Sequence, residues 1–264
     1  MSAAEFERTV LGRTGLRVGR LGVSASYGVP TAAIERAFDE GVNYLYWGSR
    51  RTSAFAGALR RLSPRRDAMV LVVQSYSRSA TLMKWSLERA LRTVRFDYAD
   101  VLLLGLWNKP VPARILDAAL RLKQRGLARF LAVSTHRRQL VPQLAAPGSA
   151  FDVIHFRYNA AHSGAEQDIF PYLAADRAGT VAYTATSWGQ LLKSKEVTAA
   201  DCYRFVLTRP EIDVCMTGPS NAGQMDQALE ALRLGPMTTE ELERIRRVGL
   251  KSAKKSSAGT SNKG

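Results

Sequence analysis

Apolar and polar positions along the chain follow two alternating spacings. Short, nearly continuous apolar runs occupy residues 20–25, 43–46, 70–75, 100–106, 128–134, 152–158, 180–185 and 212–218, a pattern that predicts strands. Between and after them, apolar residues recur three and four positions apart over 31–40, 53–62, 81–93, 112–124, 137–145, 165–175, 199–208 and 221–234, which predicts helices with one buried face. Thr31 is the expected N-cap of the first helix, and Gly41 and Gly126 stand where the first and fourth helices should stop. Two short extended segments around a turn at 9–18 predict a β-hairpin, and Thr-Thr-Glu-Glu at 238–241 opens a further helix reaching 248.

Runs without alternation, such as Val101-Leu102-Leu103-Leu104, suit strands buried on both faces, the condition of a parallel sheet covered by helices. Eight strand-then-helix units over about 230 residues have the count and size of a closed barrel. The expected fold class is therefore α/β: a (β/α)8 TIM barrel with an N-terminal β-hairpin plugging one end and an extra C-terminal helix. An open doubly wound sheet would need a glycine-rich phosphate turn after its first strand, and Ser24-Ala-Ser-Tyr-Gly28 contains no G-x-G-x-x-G. No internal linker divides the chain. One barrel domain is expected over 1–249, followed by a basic, Ser/Gly-rich tail over 250–264 that reads as disordered.

Charge is the outlying quantity: 38 Lys and Arg against 23 Asp and Glu leave a net +15. Such an excess attracts anions at long range without dictating a fold. The arginine pairs at 50–51, 60–61, 65–66, 137–138 and 246–247 are scattered, which fits a solvated arginine-rich surface better than a nucleic-acid face; non-specific contact through the basic tail is the nucleic-acid role that remains. Cys202 and Cys215 cannot build a disulfide framework, and neither belongs to a metal-type cluster. No apolar run approaches the roughly 20 residues of a membrane span. The first eight residues show no basic start and apolar stretch, so no signal peptide is expected and the cytoplasm is the expected location.

In a barrel of this kind ligands bind where the strands lead into the helices. Tyr46, Trp47, Ser75, Tyr76 and the segments 105–107, 134–136, 155–159, 183–188 and 218–221 fall there. Trp47, Trp107 and Trp188 are all among them, which predicts an aromatic-walled pocket for a small-molecule substrate.

The segments Leu11-Gly-Arg-Thr-Gly-Leu-Arg-Val-Gly-Arg-Leu-Gly22, Ala37-Phe-Asp-Glu-Gly-Val-Asn43, Asp97-Tyr-Ala-Asp-Val-Leu-Leu-Leu104 and Gly126-Leu-Ala-Arg-Phe-Leu-Ala-Val-Ser134 resemble, in order and register, the aldo-keto reductases. So do Phe151-Asp-Val-Ile-His-Phe-Arg-Tyr-Asn159, Val181-Ala-Tyr-Thr-Ala185 and Gly218-Pro-Ser-Asn221, and the likeness runs from about residue 9 to 247. The resemblance implies a barrel that holds NADP or NAD in extended form without a Rossmann fingerprint and reduces carbonyl compounds. It also implies a tetrad in which a tyrosine donates a proton, a lysine paired with an aspartate makes that proton available, and a histidine orients the carbonyl. At the aspartate, tyrosine, lysine and histidine positions this chain has Tyr46, Arg51, Ser75 and Gly105. The cofactor positions are altered less: Ser134 and Thr135 stand for the serine–asparagine pair at the nicotinamide amide, His155 for a glutamine, and Tyr183 for the stacking aromatic. In the loop that grips the adenosine 2′-phosphate, Ser220 and Asn221 are kept and an arginine becomes Gln224, which removes a bidentate clamp for which Lys193 or Lys195 would have to compensate.

Each residue also has a plain role. Tyr183 stacks on a ligand or fills the mouth; His155 contacts a ligand or is a satisfied core histidine. Tyr46 packs the mouth or replaces the missing acid, and Arg51 is surface charge or the cation that eases loss of a nearby phenolic proton. Three functions follow: a reductase with Tyr46 and Arg51 as its catalytic pair, a catalytically inactive barrel that binds a nicotinamide cofactor or another anionic small molecule, and a protein whose basic surface engages acidic partners.

Overall fold

Eight parallel strands pair in chain order and close into a ring in the computed structural model, which describes residues 5–48 and 50–260, with side chains as far as 254. A two-stranded antiparallel hairpin of β1 (Thr9–Val10) and β2 (Arg17–Val18) precedes the ring. The ring itself is β3 (Leu21–Ser24), β4 (Tyr44–Trp47), β5 (Val70–Ser75), β6 (Ala99–Leu104), β7 (Ala128–Thr135), β8 (Val153–Arg157), β9 (Gly179–Tyr183) and β10 (Val214–Thr217), with β10 paired back onto β3. Outside it lie α1 (Thr31–Asp39), α2 (Ser53–Arg61), α3 (Ala80–Val94), α4 (Ala113–Gln124), α5 (Val141–Ala145), α6 (Ala165–Asp168), α7 (Ala199–Leu207), α8 (Ala222–Leu234) and α9 (Thr239–Thr260). The expected TIM barrel, hairpin and extra C-terminal helix are all present.

Strand alternation divides the apolar residues into two cores. Val70 and Val72, Val101 and Leu103, Val153, Val181 and Val214 fill the barrel interior, whereas Leu71, Val73, Leu102 and Leu104 join the larger layer between sheet and helices. Leu11, Leu16 and Val18 of the hairpin close the floor beneath them. The hairpin approaches the barrel closely at Gly12, where a Cβ would lie 2.2 Å from the Gly179 nitrogen and where φ is +45°, so no larger residue fits.

Two buried carboxylates tie the lower strand ends together. Asp100, fully buried, accepts from the Leu71 N–H at 2.8 Å and pairs with Arg66 at 2.8 Å and Arg129 at 3.0 Å. Asp213 accepts a bidentate pair of bonds from Arg177, both 2.9 Å, and one from the Thr180 N–H.

Several local expectations are corrected. Pro30, not Thr31, is the N-cap of α1; the Thr31 hydroxyl instead donates across to the Ala54 carbonyl and ties α1 to α2. Asn43 precedes β4 rather than opening it: its side chain accepts from the Gly19 N–H and donates to the Arg17 and Ala68 carbonyls. The helix expected over 165–175 stops at Asp168 and gives way to a 3-10 turn, Phe170–Tyr172, because Pro171 supplies no N–H and disfavours helix before it. Gly41 and Gly126 take φ of +97° and +75°, as a helix stop requires. The last helix, α9, runs beyond 248 through much of the segment whose composition suggested a tail, and Lys251 on it pairs with Glu196 at 3.2 Å; residues 261–264 lie outside the described residues.

Candidate active site at the barrel mouth

A cleft of about 720 Å³ opens at the upper strand ends and extends from the barrel axis, past the loop after β9, to the start of α8. The alternation that built the core decides what faces it. On β4, Tyr44 and Tyr46 point inward, and Tyr46 lines the cleft while its ring covers Gly48, where a Cβ would lie 1.9 Å from Cε1. Trp47 points the other way, is buried against Phe55 at 5.8 Å between ring centroids, and is therefore no part of the mouth. Trp107 is also outside the cleft, half-buried under the Arg78 guanidinium at 3.6 Å. Of the three tryptophans expected at the rim, only Trp188 lines it.

The tetrad positions are distributed unevenly. Arg51 does not line the cleft; it reaches under α3, donating to the Ser86 and Gln74 carbonyls at 3.1 Å each. Burial and the neighbouring Arg89 charge lower the Arg51 pKa, and Tyr46 is near enough to counteract this in part. Ser75 is buried on the outer face, and the inward polar group at the end of β5 is Gln74, which lines the cleft and whose Oε1 is enclosed without a partner. The space beside Gly105 is taken by the Tyr76 ring, 2.4 Å from where a Cβ would stand. Gln74 and Tyr76 thus occupy ground that the resemblance assigned to a lysine and a histidine. Counting in twos from Val70 would have placed Gln74 inward.

Ser134 faces the cleft and its Oγ accepts from the Leu106 N–H at 2.9 Å. Thr135 faces outward, where its hydroxyl meets Asn108 and the Arg137 N–H; only its carbonyl serves the mouth, accepting from the Tyr183 hydroxyl at 3.2 Å. That bond sets the Tyr183 ring as a wall, and burial raises its pKa. His155 sits deeper, with Nε2 2.8 Å from the Tyr44 hydroxyl, and burial pushes its pKa down to about 3. Beyond β10, Asn221 caps α8 through the Gln224 N–H and does not line the cleft. Ser220 does line it, but its N–H and hydroxyl both bond the Gln224 Oε1, at 2.8 and 3.0 Å. Neither Lys193 nor Lys195 lines this cleft, and none of its described lining residues is Asp, Glu, Lys or Arg.

The loop closing one side is wound unusually. Thr184, Ser187 and Trp188 all have φ between +51° and +63°, a conformation that costs non-glycine residues about 1–3 kcal/mol each and persists only where surroundings impose it. Ser187, buried, donates its N–H to the Thr184 carbonyl at 2.8 Å. No group of described residues has the composition of a metal site, and no described helix is long and apolar enough to cross a membrane.

The nicotinamide end of a cofactor fits this arrangement on one concrete count: the unsatisfied Gln74 Oε1 and the Ser134 hydroxyl are the acceptor and donor that a carboxamide needs. Comparison with solved structures finds the same fold in the aldo-keto reductase AKR11C1 from Bacillus halodurans. Its holo form superimposes with a TM-score of 0.75 at 20% identity over 92% of this chain and 96% of that one. Its apo form gives 0.73 at 21% over the same shares. No curated protein matches the sequence. The sequence model of the aldo/keto reductase family matches residues 31–202, most of the barrel, and the chain belongs to that family.

Proposed function

We propose that the protein is an NAD(P)H-linked oxidoreductase of a carbonyl–alcohol pair in which the Tyr46 hydroxyl supplies the proton. The observation that carries this reading is the absence of any carboxylate or lysine among the described cleft residues, which leaves phenols and imidazoles as donors. Tyr183 is committed to the Thr135 carbonyl, and His155 is neutral and bonded to Tyr44. Tyr27, Tyr76 and His136 stand at the exposed rim, and burial raises the pKa of Tyr203. Tyr46, over the barrel axis, is the cleft phenol that lies beside the Arg51 charge.

The bound cofactor would supply the hydride. Gln74 and Ser134 would hold its carboxamide, and the Tyr183 ring would bound its ring face. Tyr46 would give its proton from Oη to the carbonyl oxygen, and the Arg51 charge behind it would lower the cost of leaving a phenolate. Since no described residue lining the cleft is a cation and Ser220 is already bonded by Gln224, we infer a preference for NAD(H).

A second reading has its own support. With Tyr76 filling the place beside Gly105 and Ser75 facing outward, the chain can be a binder that keeps the cofactor cleft and performs no turnover. Binding of NADH and NADPH, followed by protein fluorescence, and consumption of reduced cofactor with a panel of aldehydes and ketones separate the two. Turnover that is lost in Y46F supports the first. Saturable binding without turnover of any carbonyl selects the second, and no binding at millimolar cofactor rejects both.

A further inference from the structure

A second cleft, of about 910 Å³, lies on the other side of Trp188, between the end of β8, the loop after β9 and α9. Its chemistry is opposite to that of the first. Arg157, Lys193 and Lys251 line it against a single carboxylate, Glu196, which is already paired with Lys251.

Arg157 is the unusual member. It follows His155 by two residues on β8 and pairs in register with Tyr183, so its Cβ is on the inward side at the mouth. Three other enclosed arginines have carboxylate partners, Arg66 with Asp100 at 2.8 Å, Arg177 with Asp213 at 2.9 Å and Arg204 with Glu241 at 2.7 Å, and Arg20 and Arg51 are held by backbone carbonyls. Among the described residues Arg157 has no ion pair and no hydrogen bond; its Nε is enclosed without a partner, and its guanidinium lies 5.2 Å from the Trp188 ring centroid. After burial, its charge is the next cause that lowers the pKa of both His136 and His162, so it acts on both clefts. A guanidinium held by an aromatic face yet without an anion is a fork prepared for an external oxyanion, since burial without a partner otherwise costs stability.

We propose that this second cleft binds a small, multiply charged oxyanion, a phosphate- or carboxylate-bearing metabolite, clamped by Arg157 and attracted by Lys193. The proposal does not rest on the proposed reductase activity. Trp188 lines both clefts, so an occupant of either touches the same ring.

The test is calorimetric titration of the full-length protein with pyrophosphate and, separately, citrate at low ionic strength, with no nicotinamide cofactor present. Saturable binding of one or both probes by the wild type is expected, weakened at least tenfold in R157Q and less in R157K. R114Q, which removes an equal charge from an exposed position on α4, should bind as the wild type does. Pyrophosphate binding alone would assign a phosphate ligand, and citrate alone a carboxylate. No saturable binding to the wild type, or equal weakening in R157Q and R114Q, overturns the proposal, because attraction would then come from net charge. Should R157Q fold poorly, R157K against R114Q makes the same comparison.

Discussion

The Tyr44 hydroxyl and the His155 Nε2 meet at 2.8 Å in the barrel interior, joining β4 to β8 across the ring, and both side chains are almost wholly excluded from solvent. Each partners the other, and among the described residues neither has a charged neighbour in hydrogen-bonding contact. His155 is buried, paired with Tyr44, and reaches the floor of the cleft with one edge.

Burial holds the folded His155 pKa near 3 against an ordinary value of 6.5. The unfolded chain therefore binds a proton that the folded chain refuses between those values. The associated stability is fully present above pH 6.5 and is lost as pH falls toward 3, amounting to roughly 5 kcal/mol at the end. Urea unfolding between pH 7 and pH 4 should fall more steeply for wild type than for H155Q, by about 1.4 kcal/mol per pH unit. Parallel pH profiles would contradict the assignment. At pH 7, Y44F should cost about 1–3 kcal/mol, because it strips a buried imidazole of its partner.

Tyr46→Phe should reduce turnover of reduced cofactor by about 10²–10⁴-fold while leaving cofactor affinity and thermal stability near wild type. A Y46F protein with unchanged kcat removes Tyr46 as the acid. Gly48→Ala should act on the same ring, since its Cβ would lie 1.9 Å from Tyr46 Cε1, and lower kcat with a smaller effect on KM.

Cofactor preference should follow the uncharged lining of the cleft. NADH should bind more tightly than NADPH, and Q224R should raise NADPH affinity by about tenfold by placing a guanidinium at the Ser220 end and freeing the Ser220 N–H. Fluorescence titration of both cofactors with both proteins measures this. Tighter NADPH binding by the wild type would reverse the inference.

Gly105→Ala should destabilise by about 1–2 kcal/mol through contact with the Tyr76 ring, and Tyr76→Ala should relieve most of that cost. The interaction energy from a double-mutant cycle in urea is the readout. Additive costs would mean that Tyr76 does not compete for that space.

Asp100→Ala leaves Arg66 and Arg129 facing a vacated site and the Leu71 N–H without its acceptor, so a loss of about 3–5 kcal/mol is expected. Because Asp100 lies at the barrel end opposite the mouth, kcat of the remaining folded protein should not change. A large kcat effect without loss of stability would contradict a structural role.

Much of the site could be read from spacing alone. Alternation from Tyr44 places Tyr46 inward, and the same count places Ser134, His155 and Tyr183 at the mouth. It also turns Trp47 outward, where a tally of rim tryptophans had included it. Ser75 shows the limit of matching by resemblance: a shift of one residue moves a side chain to the opposite face of a strand, and Gln74 is the one that faces the cleft. Arg51 and Arg157 were less legible, because a long cationic side chain reaches whichever acceptors the fold brings near.

The sequence by itself determined the ring of strands and the covering helices, since backbone hydrogen bonding imposes periods of about 2 and 3.6 residues that apolar side chains must obey. Only the tertiary structure decided that Tyr44 meets His155, that Tyr76 takes the space beside Gly105, and that Arg157 lies against Trp188 with no carboxylate partner among the described residues. Those pairs lie on different strands and loops, and their meeting is set by closure of the barrel and the packing of its loops, which no local period encodes.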